Sequence, residues 1–149
     1  PDLDTRPMGV VLRIQALAKI LGEQAGLRLQ EFDLQWWQYD VLATLRRSGA
    51  PYVMAATGLA DTNMLSSGAM TNRIDRLETT GLVRRLKDPH DRRRVLVQLT
   101  RKGLKLIDSA TEARFEAALK ALDGLDDEQR ESLSGLLRLV LTTQDQQPQ

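Results

Sequence analysis

Between Gly81 and Gly103 the chain changes its hydrophobic period twice, which constrains the fold more than any other stretch. Just upstream, Met70, Ile74 and Leu77 recur at i, i+4 and i+7, the spacing of one helical face. Ser66 is a good N-cap for that helix and Gly81 a good stop, so a helix is expected over 67–80. Then 82–87 and 94–100 alternate with period two, Val95, Val97 and Leu99 on one face and Leu96, Gln98 and Thr100 on the other. The joining segment, Asp88-Pro89-His90-Asp91-Arg92-Arg93, carries the turn formers of a hairpin. A hairpin directly behind a capped amphipathic helix makes a small β element in a helical chain.

The remainder reads as helix. Val10, Val11, Ile14, Leu17, Leu21 and Ala25 recur at helical spacing over 7–28, with Pro7 in the first turn. A second helix is expected from an Asp33 N-cap to Gly49, and Gly49-Ala50-Pro51 breaks it. Residues 54–60 read as a weak short helix containing Gly58, followed by the polar turn Asp61-Thr62-Asn63. This helix lacks a strong cap and is expected to be locally soft. Two more helices fit 101–122 and 126–143. The fold class expected is mainly α with minor β: a winged helix-turn-helix lobe at 33–100, flanked by dimerisation helices at 7–28 and 101–143, all in one domain of 149 residues.

Composition narrows the function. With no Cys there is no disulfide framework or thiol chemistry, and the single His has no ligand cluster around it, so neither metal nor cofactor is expected. No Gly-rich phosphate loop or nucleophile–base pairing suggests an enzyme. No apolar run approaches the ~18–20 residues of a membrane span, and Pro1-Asp2-Leu3-Asp4 is not the basic start of a signal peptide, so the cytoplasm is the expected compartment. Charge is uneven. Residues 73–105 hold 11 Lys and Arg against 4 Asp and Glu, or +7; since the whole chain is +1, the rest is −6. A basic segment on an acidic chain is the footprint of a polyanion binder, although a solvated basic face would look the same.

Opposite the Met70 stripe the helix presents Asn72, Asp75, Arg76 and Thr79, with Thr71 at the edge and Ser66 and Ser67 at its amino end. Free N–H groups at a helix start favour a phosphate, Asn suits adenine, and Arg suits guanine or phosphate. An ordinary polar outer face with a Ser cap would account for this helix alone. Arg92, Arg93 and Arg94 change the balance, because a charged edge that blocks sheet aggregation needs one or two charges, not three together. At a hairpin tip they fit a wing lying along duplex DNA.

The segment L-S-S-G-A-M-T-N-R-I-D-R-L-E-T-T-G-L-V (65–83) followed by D-P-H-D-R-R-R-V-L-V-Q-L-T-R-K-G (88–103) closely resembles the MarR family of bacterial transcription regulators. The family's wing signature, Asp-x-Arg-x5-Leu-Thr-x2-Gly, is met by Asp91, Arg93, Leu99, Thr100 and Gly103. The resemblance implies a homodimer with interlocked terminal helices. It implies a repressor that places two recognition helices in successive major grooves of a pseudo-palindromic double-stranded operator, half-sites ~34 Å apart. It makes Ser66, Ser67, Thr71, Asn72, Arg76, Arg92, Arg93 and Arg94 the DNA-contacting residues, Arg93 at the wing tip and Asp91 its brace. The family's usual Glu-Leu-Ala in the first helix of the motif is here Gly58-Leu59-Ala60.

The stretch W-W-Q-Y-D-V-L-A-T-L (36–45) is similar to urate-responsive members, which implies a small aromatic or anionic effector near Trp36, Asp40, Arg73 and Arg85. Their additional N-terminal helix with a tryptophan has no counterpart in these residues. Arg73 lies about 60° from Met70 on the helical wheel, so it flanks the buried stripe, and an ion pair with Asp40 is expected. That pair could equally be structural, with both tryptophans packed inside. A helical protein-interaction domain that binds no DNA is the competing reading, and steep weakening by salt would separate the two.

Overall fold

The computed structural model describes residues 4–91 and 93–145. Its chain divides into two compact units, one ending at Phe115 and one beginning at Glu116. The first holds α1 (Arg6–Gln30), α2 (Trp36–Arg47), β1 (Val53–Ala55), α3 (Ala56–Thr62), α4 (Ser67–Thr79), β2 (Val83–Lys87), β3 (Val95–Leu99) and the start of α5 (Arg101–Ala121). The second holds the end of α5 and α6 (Asp127–Asp145).

Three helices of the first unit end by one device. At the close of α1, Asp33 N–H donates to Gln30 O at 3.0 Å and Leu34 N–H to Leu29 O at 3.0 Å. At the close of α3, Met64 N–H donates to Asp61 O and Leu65 N–H to Ala60 O. At the close of α4, Gly81 N–H donates to Glu78 O and Leu82 N–H to Leu77 O. This is the Schellman pattern, with Asp33, Met64 and Gly81 in the left-handed region at φ 53°, 51° and 72°. Each motif places an apolar residue just past the helix over one in its last turn: Leu34 with Leu29, Leu65 with Ala60, and Leu82 with Leu77. Asp33 therefore terminates α1 and does not cap α2, contrary to expectation. Gln35 is the residue at the start of α2, its N–H held by Gln38 Oε1 at 2.8 Å.

The sheet has three strands in the order β1-β3-β2, all antiparallel. The hairpin is where the alternation placed it, with Val83 opposite Leu99 and Lys87 opposite Val95. The third strand was not expected. Val53, Met54 and Ala55 pair with Gln98, Val97 and Leu96, so the helix anticipated from 54 begins only at Ala56. β3 leaves an edge open on the side away from β2, and pairing three backbone units there satisfies more N–H and C=O groups than starting the helix early.

Leu42 and Leu45 of α2, Leu59 of α3, Met70, Ile74 and Leu77 of α4, and Ile107 of α5 form the core with Val83 and Val97 of the sheet. Each such side chain contributes ~1.5–3 kcal/mol on burial. α4 is thereby held on the lobe by the stripe read from the sequence. α5 is held close by Gly103, where a Cβ would lie 2.0 Å from Leu82 O. No other residue allows that approach.

Outside this core the apolar stripes are uncovered. Of α1's 25 residues only Leu29 is buried, and Met8, Leu12 and Leu17 are more than half exposed. On α6 Leu136, Leu137 and Val140 are exposed as well. Among the described residues no helix is long and apolar enough to cross a membrane.

Candidate nucleic-acid interface

α4 opens with the cap that the sequence indicated: Ser66 Oγ accepts the Ala69 N–H at 3.3 Å. Ser66, Ser67, Thr71, Asn72 and Arg76 are all exposed. Thr71 donates its hydroxyl to Ser67 O at 2.8 Å, which leaves oxygen lone pairs but no free proton for an outside partner. A Cβ on Gly68 would meet nothing within 4 Å, so no packing within the chain requires glycine there.

The hairpin brings Arg93 and Arg94 to the same place. A cleft of about 200 Å³ is lined by Ala55 and Thr57, by Ser67 and Thr71 of α4, and by Arg93 and Arg94. The end of β1 and the first turn of α3 contribute Ala55, Ala56 and Thr57 to its lining. Arg92 lies outside the described residues.

The turn is braced from two positions. Asp91 Oδ1 accepts the Arg93 N–H at 2.9 Å, a bond to its backbone and not to its guanidinium. Asp88, which the sequence reading treated only as part of a turn, does more. Its Oδ1 accepts the N–H of His90 at 2.9 Å and of Asp91 at 3.3 Å, and Oδ2 lies 3.7 Å from Arg94. These contacts, the His90 N–H foremost, hold the Asp88 carboxyl below its usual range. An Asp before Pro that can accept from the next N–H groups was the available signal. At the other end of the sheet, Gln98 Oε1 receives the Arg84 guanidinium at 2.6 Å and Gln98 Nε2 donates to Pro51 O at 3.0 Å.

Arg85 ties the hairpin to α4. Its guanidinium donates to Asp75 at 2.5 Å and to Glu78, and its N–H donates to Glu78 Oε1 at 2.9 Å. That backbone bond first, then the guanidinium, lowers the Glu78 pKa from its ordinary value. Asp75 stands on the outer face of α4, where a bare carboxylate would repel phosphate, and Arg85 neutralises it.

The four expected effector residues are not gathered into one contact set. Trp36 and Tyr39 flank the Arg114 guanidinium, at 4.6 and 4.5 Å from their ring centroids. Arg85 is committed to its two acids. Arg73 and Asp40 do not form the expected ion pair: no salt bridge among the described residues joins them, and Arg73 instead lies over the Trp37 ring at 5.6 Å. A half-buried guanidinium on the flank of α4 meets an indole before it reaches a carboxylate on α2. Nor are both tryptophans inside, since Trp36 is 49% exposed and Trp37 half-buried.

A sequence profile of the MarR family matches residues 34–95, the span from the start of α2 into the wing. The transcriptional regulator PecS of Dickeya dadantii is 34% identical over 94% of this chain and 84% of its own length. A mutant of MarR from E. coli, solved in complex with operator DNA, superposes with a TM-score of 0.73 at 25% identity, covering 95% of this chain and 99% of the other. AbsC, a MarR family regulator from Streptomyces coelicolor, superposes with a TM-score of 0.78 at 25% identity over 97% of both chains. The winged helix lobe, its basic face and these likenesses agree: the chain belongs to the MarR family of DNA-binding transcription regulators.

Proposed function

We propose that the protein is a repressor that binds a pseudo-palindromic operator as a homodimer and is released by a small aromatic anion. The observation that carries this is the cleft where Ser67 and Thr71 of α4 face Arg93 and Arg94 of the wing. Major-groove and minor-groove elements on one basic surface suit a duplex, with Ser66, Asn72 and Arg76 along α4 and Arg93 and Arg94 along the wing; Arg92, outside the described residues, is proposed as a contact from the sequence alone. The uncovered leucines of α6 and the apolar surface of α1 support a second copy as the dimer partner. The effector class rests on aromatic faces and guanidiniums lying side by side, Trp36 with Arg114 and Trp37 with Arg73, in the same region as Asp40. Arg85 belongs to that set only if the anion displaces Asp75 or Glu78. The compartment proposed is the cytoplasm.

The test is selection of duplexes from a random library by the full chain, repeated with Arg93→Ala. A palindromic consensus is expected, with affinity that falls steeply as salt rises. Arg93→Ala should cost ~1–3 kcal/mol of binding. A flat salt response would end the nucleic-acid reading, and unchanged affinity in the variant would remove Arg93 from the interface.

A further inference from the structure

Two guanidiniums of α4 converge on one indole. Cζ of Arg73 lies 5.6 Å, and Cζ of Arg76 5.0 Å, from the Trp37 ring centroid. The two arginines are i and i+3 on the helix, neighbours of like charge. Neither belongs to a salt bridge among the described residues. The acids nearest them in sequence, Asp75 and Glu78, are both taken by Arg85. The ring face offsets part of this positive charge but carries no net charge of its own. Arg76 is exposed, so its guanidinium is open to an anion from outside the chain.

The indole is itself fixed. Trp37 Nε1 donates to Gln35 Oε1 at 2.5 Å, and Gln35 is anchored by Gln38 at the first turn of α2. A guanidinium stacked on an aromatic face keeps its in-plane N–H donors pointing outward. Ordering two rotamer-rich side chains before binding removes part of the cost of ordering them during it.

We propose that Trp37 is a positioning residue for DNA binding, its indole aligning Arg73 and Arg76 as a two-guanidinium clamp on one backbone phosphate. The proposal rests on Arg76 being a DNA contact and extends it: a side chain of α2 that need not touch DNA sets the geometry of α4's cations. A phosphate contact carries no sequence information, so the clamp acts equally on selected and unrelated duplexes.

The experiment is a mutant cycle on the full chain, with binding to a selected and an unrelated duplex followed by anisotropy over a salt series and thermal midpoints measured alongside. Arg73→Ala and Arg76→Ala should each weaken binding and lower the salt slope by about one. Trp37→Leu should weaken both duplexes about two- to five-fold. Trp37→Phe should retain most of the affinity, and Trp37→Leu should change nothing further once both arginines are alanine. A Trp37→Leu loss that persists without the arginines, or a Trp37→Phe loss equal to it, would overturn the clamp. Should Trp37→Leu not fold, the cycle is run with Trp37→Phe, where a smaller coupling of the same sign is expected and zero coupling overturns the proposal. If both arginine variants bind as wild type, the DNA contact at Arg76 fails along with the clamp. Arginine losses without Trp37 coupling overturn the clamp alone.

Discussion

Met70, Ile74 and Leu77 of α4 are no more than 1% exposed, whereas Leu136, Leu137 and Val140 of α6 are 38–62% exposed. Both sets recur at helical spacing, and from sequence alone they look alike. The difference is that α4's stripe meets α2, α3 and the sheet of its own lobe, while α6's stripe is left uncovered. The lobe buries its own stripe, and the arm leaves its apolar residues exposed. A periodic stripe thus says that a face wants burial, not what will bury it.

The largest effect that would test this contrast is a truncation on each side. Ile74→Ala should cost ~2–5 kcal/mol in denaturant titration at any protein concentration. Leu136→Ala should cost under ~0.5 kcal/mol in dilute protein and more at high concentration, because stability is then linked to association. Equal losses at all concentrations would show the α6 stripe to be buried within the chain. A smaller effect sharpens the view of the lobe as closed. Gly103→Ala pushes a methyl group into Leu82's carbonyl and should cost ~1–3 kcal/mol or more, seen as a lower melting temperature.

The smallest effect concerns pH. Glu78 titrates below its ordinary 4.5, so its contribution is whole above about that pH and is lost as pH falls through its lower folded value. Glu78→Gln should therefore reduce stability at neutral pH and flatten the stability profile between neutral and acid, as followed by denaturant midpoints at a series of pH values. An unchanged profile would mean that the Arg85 bonds to Glu78 persist without its charge.

Much of the lobe could be read from residues. The Met70 stripe, the Ser66 cap, the Gly81 stop and the two strands of the hairpin all stand where local chemistry puts them. The misses share a cause. Asp33 and Met64 adopt the left-handed region without being glycine, so their helix ends carry no glycine to announce them. Asp33 is a residue type that both caps helices and tolerates positive φ, and only the tertiary fit of Leu34 over Leu29 decides which. β1 is three residues long, too short for alternation to show, and exists because β3 offers it an edge. In the site, the groups along one helix or one hairpin were legible, but the partners between elements were not. Arg85 with Asp75, Arg73 with Trp37 and Arg114 with Trp36 depend on distances that spacing does not contain.

One hydroxyl has a mechanical consequence. Thr100 Oγ1 donates to Gly81 O at 2.7 Å and accepts the Gly103 N–H at 3.0 Å, while Lys102 Nζ reaches Thr80 O at 2.9 Å. The last carbonyls behind α4 are thus stitched to the first turn of α5, with β3 ending at the same point. The joint has no loop to take up slack. Three hydrogen bonds therefore tie the start of α5 to the tail of α4, and neither can be displaced without straining or breaking them.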